Sequence, residues 1–254
     1  MKLDYRIFDP TGNITLLVET PVPAAMQPRI AAQLMALEPR AEQVGFLSPD
    51  GALRMAGGEF CGNAAMSAAV CAAEAAGQDR TVQSVRVSGA PAPVRVEAAR
   101  QPDGSWQGVV EMPRPTRVTQ RMLPGVGVVP VVELPGITHV VLTEPMPRPL
   151  AERMAREWCL ALHADALGLM FFDRRRAALT PLVYVPEADT LFWETSCASG
   201  TTAVGAYLAS EEGSVSAALD QPGGRLTITS DDAGRLHLAG AVRCIAQRTA
   251  EIET

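Results

Sequence analysis

The stretch GGEFCGNAAMSAAV, residues 57–70, sets a cysteine, Cys61, where a glycine-rich turn runs into a series of small residues. The first turn of a helix carries N–H groups without intrahelical acceptors and a partial positive charge. A sulfur held there is favoured as a thiolate, so the address suits a reactive cysteine. The helix continues through AAMSAAVCAAEAAGQ and stops at Gly77. Met66, Val70 and Ala73 recur at helical spacing while small apolar residues occupy the other faces, the pattern of a helix buried all round. Two alternating strands follow, VQSVRVSG (82–89) and APVRVEAA (92–99), and RQPDGSW (100–106) turns the chain into QGVVEMP.

The same order returns at SCASGTTAVGAYLASEEG, residues 196–213. Cys197 precedes a small-residue helix that ends at Gly213, and VSAALD, GGRLTITS, the turn DDAG and RLHLAGAV read as strands and a hairpin. Two units this long make a pseudo-repeat rather than a solenoid. The Pro-containing MPRPTRV (112–118) reads as the linker, which divides the chain into an N-terminal lobe, 1–117, carrying Cys61 and a C-terminal lobe, 118–254, carrying Cys197. In front of each cysteine lie less regular elements: a strand at 13–20, a helix at 26–37, a strand at 137–143, a helix at 149–163, and strands at 168–173 and 181–186. The expected fold is α+β, two pseudo-symmetric lobes, each a mixed sheet wrapped round a central buried helix.

The chain has 254 residues, a net charge of −6, 47% hydrophobic and only 5% aromatic residues, so its core must be built from Ala, Val and Leu. No basic stripe exists beyond Arg174–Arg176, which argues against nucleic acid. No apolar run is long enough for a membrane span and MKLDYRIFDPTGN does not read as a signal peptide. Five scattered cysteines without CxxC spacing fit neither a disulfide framework nor a zinc site, and a reduced, cytoplasmic protein is expected. Cys71, Cys159 and Cys244 fall inside apolar patterns and read as packing.

With the lobes facing each other, both helix starts would point at one small molecule. N–H groups would take its carboxylate, and the α-carbon would lie between two thiols. One thiolate removes the α-proton, the opposite thiol returns a proton to the other face, and fixed N–H groups stabilise the charge as it forms. Such chemistry calls for no cofactor and no metal.

At these residues the sequence resembles the diaminopimelate epimerase family of two-cysteine racemases. Cys61-Gly62-Asn63-Ala64-Ala65 is similar to the family's CGNGA, and Glu194 to Thr201 (ETSCASGT) to its second cysteine motif; weaker likenesses lie at TGN (11–13), EQVGFL (42–47), THVVL (138–142) and PGGRL (222–226). The resemblance implies a diaminopimelate epimerase-like fold, an amino-acid substrate, a homodimer, and catalysis by Cys61 and Cys197. It also implies a substrate site drawing on Asn13, Gln43, Gly62, Asn63, His139, Glu194, Ala198, Ser199 and Gly200. The family's arginine that grips a distal carboxylate is absent, since Asp189 and Thr190 stand where its Glu-Arg pair would be. Its two distal-site asparagines are replaced by Ile137 and Ala166. GGEFCGN and DTLFWE resemble a subgroup that racemises histidine for nicotianamine-like metallophores. For a flat ring, Phe60, Phe192 and Trp193 would offer faces and Asp189 a charge toward the amino group or imidazolium. The alternatives are diaminopimelate epimerase itself and a non-catalytic small-molecule binding protein of the same fold.

Overall fold

The computed structural model describes residues 1–253. They form two compact units, one of residues 1–111 with 239–253 and one of 112–238. In the first unit, β1 (Lys2–Pro10), β2 (Thr15–Val18), α1 (Gln27–Leu37), β3 (Gln43–Leu47) and β4 (Leu53–Met55) precede α2 (Gly62–Ala75). Then come β5 (Arg80–Val85), β6 (Val94–Arg100) and β7 (Trp106–Glu111). The second unit holds β8 (Arg117–Leu123), β9 (Gly127–Leu134), β10 (Ile137–Leu142), α3 (Arg148–Ala161), β11 (Leu167–Asp173), β12 (Ala178–Val185) and β13 (Thr190–Trp193). It continues with α4 (Ala198–Glu212), β14 (Ser216–Gln221) and β15 (Gly224–Ser230), and β16 (Leu236–Glu251) carries the chain back into the first unit.

That return differs from a boundary at 117/118. Most of β16 pairs with β1, antiparallel from Lys2↔Glu251 to Pro10↔Val242, so residues 242–251 are held by the first unit's backbone hydrogen bonds. The linker is also shorter than 112–118, because Arg117 and Val118 already pair in β8 and Met112 is buried.

In the first unit the strand order is β4-β3-β2-β1-β16-β7-β6-β5. The two ends meet: Leu53 bridges Val87, its N–H donating to Arg86 O (2.8 Å) and its carbonyl accepting from Ser88 N (2.9 Å). The sheet therefore closes round α2, which touches β1, β2, β5, β6 and β7. A helix inside a closed sheet has room only for small side chains, which explains its alanines; Ala64, Ala65, Met66, Ala69 and Val70 have no exposure at all. α1 lies outside, its Ile30, Ala31 and Leu34 packed on Leu3, Tyr5, Leu16 and Phe46.

In the second unit the order is β8-β9-β10-β11-β12-β14-β15, with β13 added to β12. This sheet wraps α4, which touches β8, β9, β10, β11, β14 and β15. α3 covers the outer face, placing Met154, Ala155 and Trp158 on Val140, Leu167, Leu169 and Leu182. Each unit is thus a mixed sheet round a buried helix that begins at a cysteine. Among the described residues no helix is long and apolar enough to cross a membrane.

Candidate functional site

Cys61 is half-buried and sits immediately before α2 in extended conformation (φ −130°, ψ 111°). Its Sγ accepts the Ala64 N–H at 3.3 Å, and its carbonyl accepts the Ala65 N–H at 3.0 Å. Cys197 repeats this before α4: φ −125°, ψ 111°, Sγ accepting Gly200 N–H at 3.3 Å, and the carbonyl accepting Thr201 N–H at 2.9 Å. In both helices the sulfur does what a Ser or Asp oxygen does at a helix start. All five cysteines are thiols.

The turn leading to Cys61 is anchored at several points. Ser88 Oγ accepts the Met55 N–H and donates to the Glu59 carbonyl, both at 2.9 Å. Gly89, at φ +73°, lies so close to the Glu59–Phe60 peptide that a Cβ would come within 2.6 Å of the Glu59 carbonyl carbon, so only glycine fits. Around Cys197 the anchor is Gln221, whose Oε1 accepts the Cys197 N–H at 2.9 Å and whose Nε2 donates to Thr201 Oγ1 at 2.8 Å. Gly223 N–H donates to Thr195 O at 2.7 Å.

The first turn of each helix has N–H groups that no intrahelical carbonyl can reach. Gly200 was expected among those open to a carboxylate, but its N–H is committed to Cys197 Sγ. Gly62 and Asn63 in α2, and Ala198 and Ser199 in α4, stand at first-turn positions whose N–H groups neither sulfur uses. The Asn63 side chain is buried and its Oδ1 lacks a hydrogen bond within the protein.

Burial drives the Cys197 thiol well above its ordinary pKa, and the Glu194 carboxylate, charged and hydrogen-bonded to it, pushes the same way; Ser199 and the Gly200 N–H oppose them weakly. Cys197 therefore holds its proton. Cys61 is the more accessible sulfur. Iodoacetamide at neutral pH should accordingly alkylate Cys61 before Cys197, as read by peptide mass spectrometry over a time course.

Asn13 and Gln43 come together. Gln43 Nε2 donates to Asn13 Oδ1, Asn13 Nδ2 donates to Glu42 Oε2 at 2.6 Å, and Asn13 follows a turn with Thr11 and Gly12 at positive φ. Glu42 was not singled out from sequence, though it adjoins Gln43 in EQVGFL.

Two of the expected positions have surroundings of their own. His139, expected to line the substrate pocket, has no exposed surface, and among the described residues neither ring nitrogen has a hydrogen-bond partner. It lies under Gly168 of the paired strand β11, close to Met170, whose sulfur in turn lies against Gly200. An apolar, dry setting makes the charged ring costly, and burial pushes its pKa down to about 3. Asp189, expected to face the substrate, is exposed in the turn before β13 and pairs with Arg156 of α3 at 3.2 Å, outside the group of residues bonded around Cys197. The strands β12 and β13 are a hairpin, and counting back from Glu194 walks along β13 to its far end. Trp193 likewise serves the core, stacked on Phe171 (5.6 Å between centroids) and donating to Glu152, whereas Phe192 is half exposed and Phe60 partly buried.

Two stability results follow from His139. In the unfolded chain it titrates near 6.5, in the fold near 3. The unfolded state binds the extra proton between those values, so this stabilisation is complete above about pH 6.5 and is lost as pH falls toward 3. Urea denaturation of His139→Leu should show a shallower acid dependence than the wild type, by up to about 1.4 kcal/mol per pH unit from about pH 6 to about pH 4. Gly168→Ala would drive a Cβ to 2.6 Å from His139 Cε1 and 2.8 Å from Met170 Cε, and should cost about 1–3 kcal/mol in the same assay.

Among the described residues no group of three His, Cys, Asp or Glu is placed to hold a metal ion. The family model described as the histidine racemase CntK N-terminal domain matches residues 2–250. A histidine racemase of Staphylococcus aureus is 31% identical over 272 residues, covering 99% of this chain and 98% of that protein. Among solved structures, a predicted epimerase from Pseudomonas aeruginosa superposes with a TM-score of 0.73 at 17% identity, covering 99% of each chain. A hydroxyproline epimerase from Agrobacterium vitis, with trans-4-hydroxy-L-proline bound, gives 0.66 at 13% identity, covering 98% of this chain and 92% of that one. At such identities the structures establish that the chain shares their fold.

Proposed function

Because the chain belongs to the histidine racemase CntK N-terminal domain family, and is an isomerase of the racemase kind, we propose that it inverts the α-carbon of free histidine. Cys61 and Cys197 act as the opposed base and acid, without a cofactor. The observation that carries this reading is the repetition of one local geometry: two cysteines, each starting the buried helix of its unit, each sulfur accepting the N–H three residues on. That geometry leaves Gly62, Asn63, Ala198 and Ser199 to hold the substrate carboxylate by their N–H groups.

The chemistry then divides by sulfur. Cys197 keeps its proton through burial and Glu194, so it is the resting acid. Cys61 takes the α-proton as thiolate, the carboxylate of the substrate gains charge as the C–H bond breaks, and the helix-start N–H groups meet that charge without having to reorganise. Cys197 delivers its proton to the opposite face. Cys61 now holds the proton and Cys197 the charge, the state that processes the other enantiomer. Asn13 and Gln43 supply polar contacts toward the amino acid. Kinship with diaminopimelate epimerases is part of this reading through the two cysteine motifs. A homodimer, a cytoplasmic setting and use of the D-histidine in a nicotianamine-like metallophore complete it.

The test is incubation of the purified protein with each proteinogenic L-amino acid, followed by chiral chromatography. L-Histidine should yield a near-equal mixture of enantiomers. Racemisation of another amino acid with histidine untouched would overturn the substrate, and inversion of none would overturn the activity.

A further inference from the structure

Gln221 lies 24 residues from Cys197 in sequence, yet it closes a ring of hydrogen bonds around that residue. The Cys197 N–H donates to Gln221 Oε1 (2.9 Å), Gln221 Nε2 donates to Thr201 Oγ1 (2.8 Å), and Thr201 Oγ1 donates to the Cys197 carbonyl (2.7 Å). Cys197 and Thr201 are buried and Gln221 nearly so, at 8% exposure. Both backbone polar groups of the cysteine are thereby bound, and its Sγ is oriented by the Gly200 N–H. The first unit has a looser counterpart: Gln221 is the last residue of β14, the first strand after its buried helix, and Ser88, three residues past the end of β5, grips the loop in front of Cys61.

We infer that Gln221, acting through Thr201, is a positioning residue that aims the Cys197 sulfur at the substrate α-carbon. The inference rests on the two-cysteine reading above. Proton transfer is sensitive to placement, since an error of about 1 Å can cost about a hundredfold in rate. Loss of the ring should therefore slow the one proton transfer that Cys197 performs and leave the transfer by Cys61 intact.

That asymmetry is measurable in deuterated water with histidine as the probe. In Gln221→Met, kcat for racemisation should fall about 10- to 100-fold while KM changes by less than about threefold. One enantiomer, the one deprotonated by Cys61, should now exchange its α-proton for deuterium faster than it racemises, because the stalled intermediate gives the Cys61 thiol time to trade its proton with solvent, whereas exchange from the other falls with racemisation. Thr201→Ser, which keeps the hydroxyl, should retain wild-type behaviour; Thr201→Val should reproduce the asymmetry, and this pair decides the matter if Gln221→Met does not fold. Equal loss of exchange from both enantiomers, or Thr201→Val indistinguishable from Thr201→Ser, would overturn the positioning role. Full racemisation by Cys197→Ser would overturn the two-cysteine reading itself; an inactive Cys197→Ser beside a fully active Gln221→Met would overturn only the inference.

Discussion

Cys61→Ser and Cys197→Ser should each lower histidine racemisation by about three orders of magnitude, in both directions, with the unfolding temperature little changed. A serine hydroxyl occupies nearly the same space and still accepts the Ala64 or Gly200 N–H, so each helix keeps its start. What it lacks is an accessible conjugate base. Removing a positioned acid or base typically costs about 10²–10⁴-fold, and every turnover in either direction uses both groups. The result is read by chiral chromatography beside thermal unfolding of each variant. A variant with more than about a tenth of wild-type racemisation would remove that sulfur from the mechanism. Cys71, Cys159 and Cys244 provide the control. Burial raises all three thiols, the first to about 12, and Cys71 and Cys159 are occupied with Glu19 and the Ala164 carbonyl. Their serine variants should racemise normally.

The second large effect concerns substrate choice. Histidine should be turned over with a kcat/KM at least about a hundredfold above that for diaminopimelate. A distal amino-acid head group needs a cation for its carboxylate and amides for the rest. Here the corresponding places are Thr190, Ile137 and Ala166, the last with 7% exposure. A buried carboxylate without partners costs several kcal/mol, about a thousandfold or more in binding, and the expected ratio takes a cautious share of it. Competition between the two substrates in one vessel, with each product separated by chiral chromatography, gives the ratio directly. Comparable values would return the protein to diaminopimelate epimerisation.

The features legible in the sequence are those written in local pattern. The alanine runs after Cys61 and Cys197 spelled out α2 and α4, because a helix enclosed by a sheet tolerates little else, and Gly213, at φ +82°, ends α4 where expected. The helix read at 149–163 is α3, with Met154 and Trp158 buried along one side. Unread were the short β3, β4 and β13, and longer strands whose signals conflict: β1 alternates cleanly at Leu3, Tyr5 and Ile7 but is crossed by charges, and β8–β9 exposes Met122 and Val128 and carries Pro130. In the candidate site the cysteines, their N–H groups and the Asn13–Gln43 pair were visible as motifs. Hydrogen-bond partners brought in from distant turns were not. Nothing about a glutamine after VSAALD announces that it will receive the Cys197 N–H, and nothing about a serine in VSG announces the grip on Glu59. The place of Asp189 was hidden for the opposite reason: the residues between it and Glu194 run along a strand, which carries it away from Glu194 to a pairing with Arg156.

In the proposed racemisation one sulfur keeps the α-proton that it removes while the other delivers its own. Early-time isotope analysis of L-histidine in deuterated water tests it most directly. With two bases, the first D-histidine formed carries solvent deuterium at Cα, while the L-histidine recovered with it remains protiated, because the proton removed stays on one sulfur as the other delivers a deuteron. Deuterium appearing in recovered L-histidine as fast as in D-histidine would mean a single base serving both faces, and would contradict the account.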